Sequence, residues 1–145
     1  MLWIEPFPNS WKQPGCTPAR TVIAIAGDGG FQMTLQELGT IMQTGLDVKI
    51  IVLNNQFLGM VRQWQELFND RRYSFVDIQS PDFVGLAKSY RIPGQRVSDR
   101  SDLKTALGNM LQHRGAFLLE VMVGKENNVF PMVPQGCSVS EIRLS

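Results

Sequence analysis

Cysteine and histidine are nearly missing from this chain, whose 145 residues hold only Cys16, Cys137 and the lone His113. Two cysteines so far apart form neither a disulfide framework nor a metal-ligand spacing, and the expectation is two reduced thiols in a cytoplasmic protein. His113 lies near a helix end and is read as structural. Net charge is almost absent as well, at +1, which removes any general pull toward nucleic acid or membrane. Arg62, Arg71 and Arg72 are read as a solvated face, not a nucleic-acid groove. No apolar run approaches the roughly 20 residues of a membrane helix. No charged amino-terminal region precedes a short apolar stretch, so no secretory signal is expected. Internal repeats and low-complexity segments are lacking too. What is present is 43% apolar content, in a length that suits one domain with a hydrophobic core.

Residues 1–20 form an irregular lead-in, because Pro6, Pro8, Pro14 and Pro18 argue against any regular element there. From Thr21 the pattern becomes regular. Thr21 to Ala26 is a continuous apolar run rich in β-branched residues, which predicts a strand buried on both faces of a parallel sheet. Gly27-Asp28-Gly29-Gly30 breaks it. Leu35, Leu38, Ile41 and Met42 follow at helical spacing and end near Gly45. Val48 to Leu53 is a second strand, stopped by Asn54-Asn55. Met60, Val61, Trp64, Leu67 and Phe68 form a helical stripe, and a loop covers 69–79. Ser80-Pro81-Asp82 reads as a helix start with Ser80 as cap, and Phe83, Leu86, Ala87 and Tyr90 as its apolar face. A short strand is expected at Gln95 to Val97, a helix opened by Ser101, and a last strand over Ala116 to Val123. Strands alternating with helices predict a three-layer α/β fold, a parallel sheet with helices on both faces. The domain spans 21–124, and 125–145 is a carboxy-terminal tail.

Ligands of open α/β sheets collect at the carboxyl ends of strands, where both Gly27 to Gly30 and Asn54-Asn55 fall. Gly29 and Gly30 lack a Cβ, so backbone N–H groups there can approach a phosphate closely. Asp28 and Asn55 offer oxygen ligands to a hard cation such as Mg2+, which commonly binds one or two side chains together with phosphate oxygens. No Gly-Lys-Ser/Thr follows, so the turn is not a Walker loop. Gln32 stands where the dinucleotide fingerprint needs its third glycine.

Gly-Asp-Gly followed at this distance by Asn-Asn resembles the signature of thiamin-diphosphate enzymes. The run Leu53-Asn54-Asn55-Gln56-Phe57-Leu58-Gly59-Met60-Val61-Arg62-Gln63-Trp64-Gln65 is similar to the catalytic large subunits of the acetolactate synthase family. So is Asn128-Val129-Phe130-Pro131-Met132-Val133-Pro134. The resemblance implies that thiamin diphosphate and Mg2+ are bound at the carboxyl ends of the strands. Asp28, Asn55 and the Phe57 carbonyl would hold the metal, and Gly27, Gly29 and Gly30 the diphosphate. Leu58, Gly59 and Met60 would line the cofactor, and Met60 and Trp64 would face the 2-keto acid substrates. It also implies condensation of two pyruvates, or of pyruvate with 2-oxobutyrate, in branched-chain amino acid biosynthesis. A homodimer or higher oligomer, a regulatory small subunit and an FAD-binding domain belong to the same pattern.

Two departures qualify the resemblance. Family members have three domains, and the glutamate that activates the cofactor lies in an amino-terminal domain. Glu37 is not assigned that role, and no catalytic residue is named here. Residues 1 to about 16 also fail to resemble the family's Gly-x-Met-Gly segment. The chain is therefore expected to be a carboxy-terminal fragment with a fold incomplete at its amino end, inactive alone. The competing readings are another thiamin-diphosphate carboligase or decarboxylase, and a non-catalytic interaction module.

Overall fold

In the computed structural model the described residues are 21–125, 128–134 and 136–144. The lead-in expected over residues 1–20 lies outside them. Chain order is β1 (Val22–Gly27), α1 (Asp28–Gln32), α2 (Glu37–Thr44), β2 (Val48–Asn54), α3 (Gly59–Phe68), α4 (Phe83–Ser89), β3 (Gly94–Val97), α5 (Leu103–Gln112) and β4 (Phe117–Met122). The two β-branched runs become neighbours, with Val22 opposite Val48 and Gly27 opposite Leu53. The result is a four-stranded, all-parallel sheet in the order β1-β2-β4-β3. Parallel pairing requires a crossover over one face of the sheet between paired strands, which is the work of the intervening helices.

Side-chain alternation along the strands divides the core in two. Val48, Ile50, Val52 and Leu118 pack against Phe31 of α1, Leu38 and Ile41 of α2, and Phe83 and Ala87 of α4. On the other face Phe117, Leu119 and Val97 pack against Ala106 and Met110 of α5. Helices thus lie on both faces, as the sequence predicts. One strand departs from expectation. Ile23 and Ile25 on β1 are 45% and 52% exposed, so β1 is open on one face and half-buried on the other. The reason is coverage: α5 packs on β3 and β4 and leaves the β1 side of that face open among the described residues.

Helix boundaries also shift. The helix expected from Leu35 begins at Glu37, and Asp28 to Gln32, half of which was expected as a turn, is a separate short helix; between them the Thr34 hydroxyl donates back to the Phe31 carbonyl (3.3 Å) and competes with helix continuation. Gly45 then ends α2 in the left-handed conformation, φ 64°. Asp82, not Ser80, precedes α4. Asp99, not Ser101, caps the short turn of 3-10 helix leading into α5, by accepting from the Ser101 N–H.

Lys49 is the odd residue of β2, a lysine only 2% exposed. Its ammonium reaches Asp47 Oδ1 (2.7 Å) and the carbonyls of His113 (2.7 Å) and Gly115 (2.5 Å). All three N–H donors are thereby used. They tie the start of β2 to the turn that enters β4, at the end of the sheet away from Asp28.

Candidate functional site: the carboxyl ends of β1 and β2

Because Gly27 and Leu53 stand side by side at the end of the sheet, Asp28 and Asn54-Asn55 emerge together. Asp28 is only 2% exposed. Its Oδ2 accepts from the Gln56 N–H (3.0 Å) and from the Ser80 hydroxyl (2.9 Å). Its Oδ1 takes no hydrogen bond from the described residues. Since no fully buried side-chain polar atom there lacks a partner, Oδ1 is the oxygen that reaches solvent. Asn55 folds its Oδ1 back onto the Phe57 N–H (3.0 Å), and Gln56 between them takes a left-handed φ of 59°. The antiparallel bridge Phe57–Asp77 anchors this turn, through Leu58 N–H to Val76 and Ile78 N–H to Gln56. The Phe57 carbonyl accepts no hydrogen bond from the described residues. One carboxylate oxygen, one amide oxygen and one carbonyl are therefore offered at a single rim, a donor set that suits a hard cation.

The glycines differ from one another. A Cβ at Gly29 would lie 3.0 Å from Leu58 Cδ2 and 3.1 Å from Ile78 Cδ1, so packing alone favours glycine there. A Cβ at Gly27 or Gly30 would meet nothing within 4 Å, and neither residue has a positive φ. Nothing in the described chain requires glycine at either position, whereas a diphosphate lying on the backbone would. Both fall at the first turn of α1, where no side chain caps the helix start.

Leu58, Met60 and Val61 are exposed, at 38%, 57% and 47%. One helical turn on from Met60, Trp64 is half-buried and rests on Phe68, ring centroids 5.3 Å apart. Arg62, expected on a solvated face, is instead buried at 6%. It lies over the rings of Phe57 and Tyr73 (5.4 and 4.8 Å) and pairs with Glu66. Arg71 and Arg72 are exposed. Beside Arg62, Gln63 is only 2% exposed. It accepts from the Val129 N–H (2.8 Å) and donates to the Val129 carbonyl (2.9 Å), pinning the tail to α3. In Gln63→Ala the Val129 amide is expected to exchange with solvent about tenfold faster, with the β2 amides unchanged. Equal Val129 exchange in both proteins, read by NMR, would show that the tail is held by something else.

Four polar residues here escape a reading of the sequence motif alone. On the α2–α4 face, Asn54 Nδ2 donates to Glu120 Oε1 (2.8 Å), and Arg96 Nε donates to Glu120 Oε2 (2.7 Å). Arg96 continues to Asp82 Oδ1 at 2.9 Å. The Glu120 hydrogen bond is the main reason Arg96 is held above its ordinary, already high, pKa. Ser80 is the fourth, with its hydroxyl on Asp28 in place of the expected cap. The signal for Glu120 was one carboxylate inside the apolar run Phe117 to Val123. Glu37 heads α2 and makes no hydrogen bond to the site. His113 ends α5 at the opposite end of the sheet, against the Phe117 ring.

The model of the thiamine pyrophosphate enzyme C-terminal TPP binding domain matches residues 11–121. The chain belongs to the thiamine pyrophosphate enzyme family. Within it, the chain is 46% identical over 126 residues to the acetolactate synthase isozyme 2 large subunit of Escherichia coli (strain K12), covering 86% of this chain and 23% of that protein. It is 46% identical over 127 residues to the acetolactate synthase large subunit of Cyanidium caldarium, covering 86% and 22%. The chain thus spans about a fifth of the length of these relatives. Among solved structures, a Rhodococcus jostii RHA1 thiamine diphosphate-dependent 4-hydroxybenzoylformate decarboxylase superposes with a TM-score of 0.69 at 31% identity, over 75% of this chain and 21% of that one.

Proposed function

We propose that this chain is the diphosphate- and metal-binding part of an acetolactate synthase. The observation that carries the site is Asp28: two donors fix Oδ2, which leaves Oδ1 without a partner among the described residues. On this reading Asp28 Oδ1, Asn55 Oδ1 and the Phe57 carbonyl hold Mg2+. The backbone at Gly27, Gly29 and Gly30 holds the diphosphate, and Leu58, Gly59 and Met60 line the cofactor. Thiamin diphosphate, when bound, supplies the nucleophilic carbon and the electron sink for decarboxylating pyruvate and joining the remaining two-carbon unit to a second 2-keto acid. The chain's own part is binding and orientation. Met60 and Trp64, on one stripe of α3, face the acceptor. An aromatic wall there separates pyruvate from 2-oxobutyrate by the worth of one methylene, about 1–3 kcal/mol. The pairing into a dimer, a regulatory small subunit and an FAD-bearing region complete the proposal. Acetolactate is then formed only when the rest of the relatives' length is supplied.

Calorimetric titration with thiamin diphosphate tests this directly. Heat of binding is expected with Mg2+ and not with EDTA; binding indifferent to Mg2+, or none, would defeat the proposal. Gly30→Ala sharpens the test. The added methyl meets nothing among the described residues and replaces a helical glycine, so stability is expected to hold or rise by about 0.5 kcal/mol. Cofactor affinity is nonetheless expected to fall about tenfold, because the methyl lies where the diphosphate approaches. Unaltered affinity would remove Gly30 from the site.

A further inference from the structure

We infer that Asn54 is a positioning residue: buried Glu120, itself paired with the half-exposed Arg96, fixes its side chain, and Asn54 in turn sets the turn at Gln56 and the Asp28 carboxylate for the cation. This rests on the cofactor reading above and extends it inward from the rim. The sheet register makes the connection. Arg96 stands opposite Glu120, and Glu120 stands opposite Val52, two residues before Asn54 on the same face. Three strands thereby place one polar row across the end of an otherwise apolar face. Glu120 is 1% exposed and Asn54 is 3% exposed, so neither leans on solvent for its partners.

The polarity of the row has a direction. A carboxylate only accepts, so Glu120 demands a donor from Asn54 and thereby turns the amide oxygen of Asn54 the other way. That oxygen accepts from the Gln56 N–H (3.1 Å), the same N–H that reaches Asp28 Oδ2 (3.0 Å). Ser80, which donates to Asp28 Oδ2, also approaches Asn54 Oδ1 at 3.5 Å. Gln56 holds a left-handed φ of 59° with a side chain that gains nothing from it. Such a conformation persists when its surroundings over-determine it, and here two acceptors on one N–H do so. The turn that carries Asn55 and the Phe57 carbonyl is therefore aimed from Glu120, which itself never reaches the opening. Metal sites commonly depend on such outer partners, whose loss costs about 10–100-fold in affinity.

The relay is tested by reversing its polarity. In E120Q an NH2 replaces one of the two oxygens that serve Asn54 and Arg96 separately, so one of those donors then faces another donor. Exchange of the Gln56 amide, measured by NMR on the ligand-free chain against the Val52 amide as reference, is expected to rise about tenfold. The Mg2+ concentration for half-saturation with thiamin diphosphate is expected to rise about tenfold as well. N54D alone sets two carboxylates face to face and is expected to be the worst of the series on both readouts. The double variant N54D/E120Q restores complementarity, with Gln at 120 donating to Asp at 54 and accepting from Arg96. It is expected to return within about threefold of the parent chain. A double variant no better than E120Q would overturn the inference. So would an E120Q that melts earlier yet leaves Gln56 exchange and the Mg2+ requirement unchanged. If N54D alone tightened Mg2+ as much as the double, added charge and not positioning would be the cause. A parent chain that binds no cofactor would defeat the proposed function; Gln56 exchange in the same variants would still decide whether the row aims the turn.

Discussion

Asp28→Ala is expected to weaken Mg2+-dependent thiamin diphosphate binding by about a hundredfold or more, since it removes the carboxylate proposed to bind the cation. Asp28→Asn is the more informative variant. Gln56 N–H and Ser80 both need an acceptor at the Oδ2 position, so the amide oxygen is drawn there. The amide NH2 is then left facing the cation, as a donor where an acceptor is required. Asn at 28 is therefore expected to bind as poorly as Ala while keeping more of the folded stability. Calorimetry gives the affinity and a urea melt gives the stability. An Asp28→Asn chain with near-parental affinity would show that the metal takes its charge-bearing ligand elsewhere.

The second large effect is expected at the other end of the sheet. Lys49→Met keeps the apolar stem and removes the ammonium, leaving the His113 and Gly115 carbonyls without their partner. The expected cost is about 3 kcal/mol, read as a lower urea midpoint with an unchanged denaturant slope. Asp47 contributes little of this. It is 60% exposed, and Asp47→Asn is expected to cost under about 1 kcal/mol. Burial pushes the Asp47 carboxyl up, but hydrogen bonds from Lys49 and the Gly115 N–H outweigh it and hold its pKa below the ordinary 3.8. A depressed carboxyl stabilises the fold above its ordinary pKa, and that contribution is lost as pH falls through the folded value. Lys49→Met is accordingly expected to melt with a shallower acid dependence below about pH 5. A midpoint like the parent's would mean that water serves the two carbonyls as well as the ammonium does.

Strand and helix order was legible because each element advertises itself locally. The runs Val22 to Ala26 and Val48 to Leu53 are β-branched and bounded by turn residues, and the stripe Met60, Trp64, Phe68 has helical spacing. Boundaries were less legible where a side chain had a competing partner. Ser80 has the chemistry of a helix cap, yet its hydroxyl goes to Asp28, 52 positions away in the chain. Arg62 has the chemistry of a solvated residue, yet two aromatic rings and Glu66 enclose it. Local sequence carries no record of a partner so distant along the chain.

By itself, then, the sequence determined that the Gly27 to Gly30 turn and Asn54-Asn55 each end a parallel strand, and so that an oxygen-rich rim forms. Only the tertiary structure decided which oxygens are free to use it. The pairing of β1 with β2 brings Gln56 and Ser80 onto one oxygen of Asp28 and leaves the other open. The neighbouring β4 and β3 bring Glu120 and Arg96 behind Asn54. A carboxylate offers two oxygens and an amide has two ends, and their orientation is set by whichever donors the fold brings near.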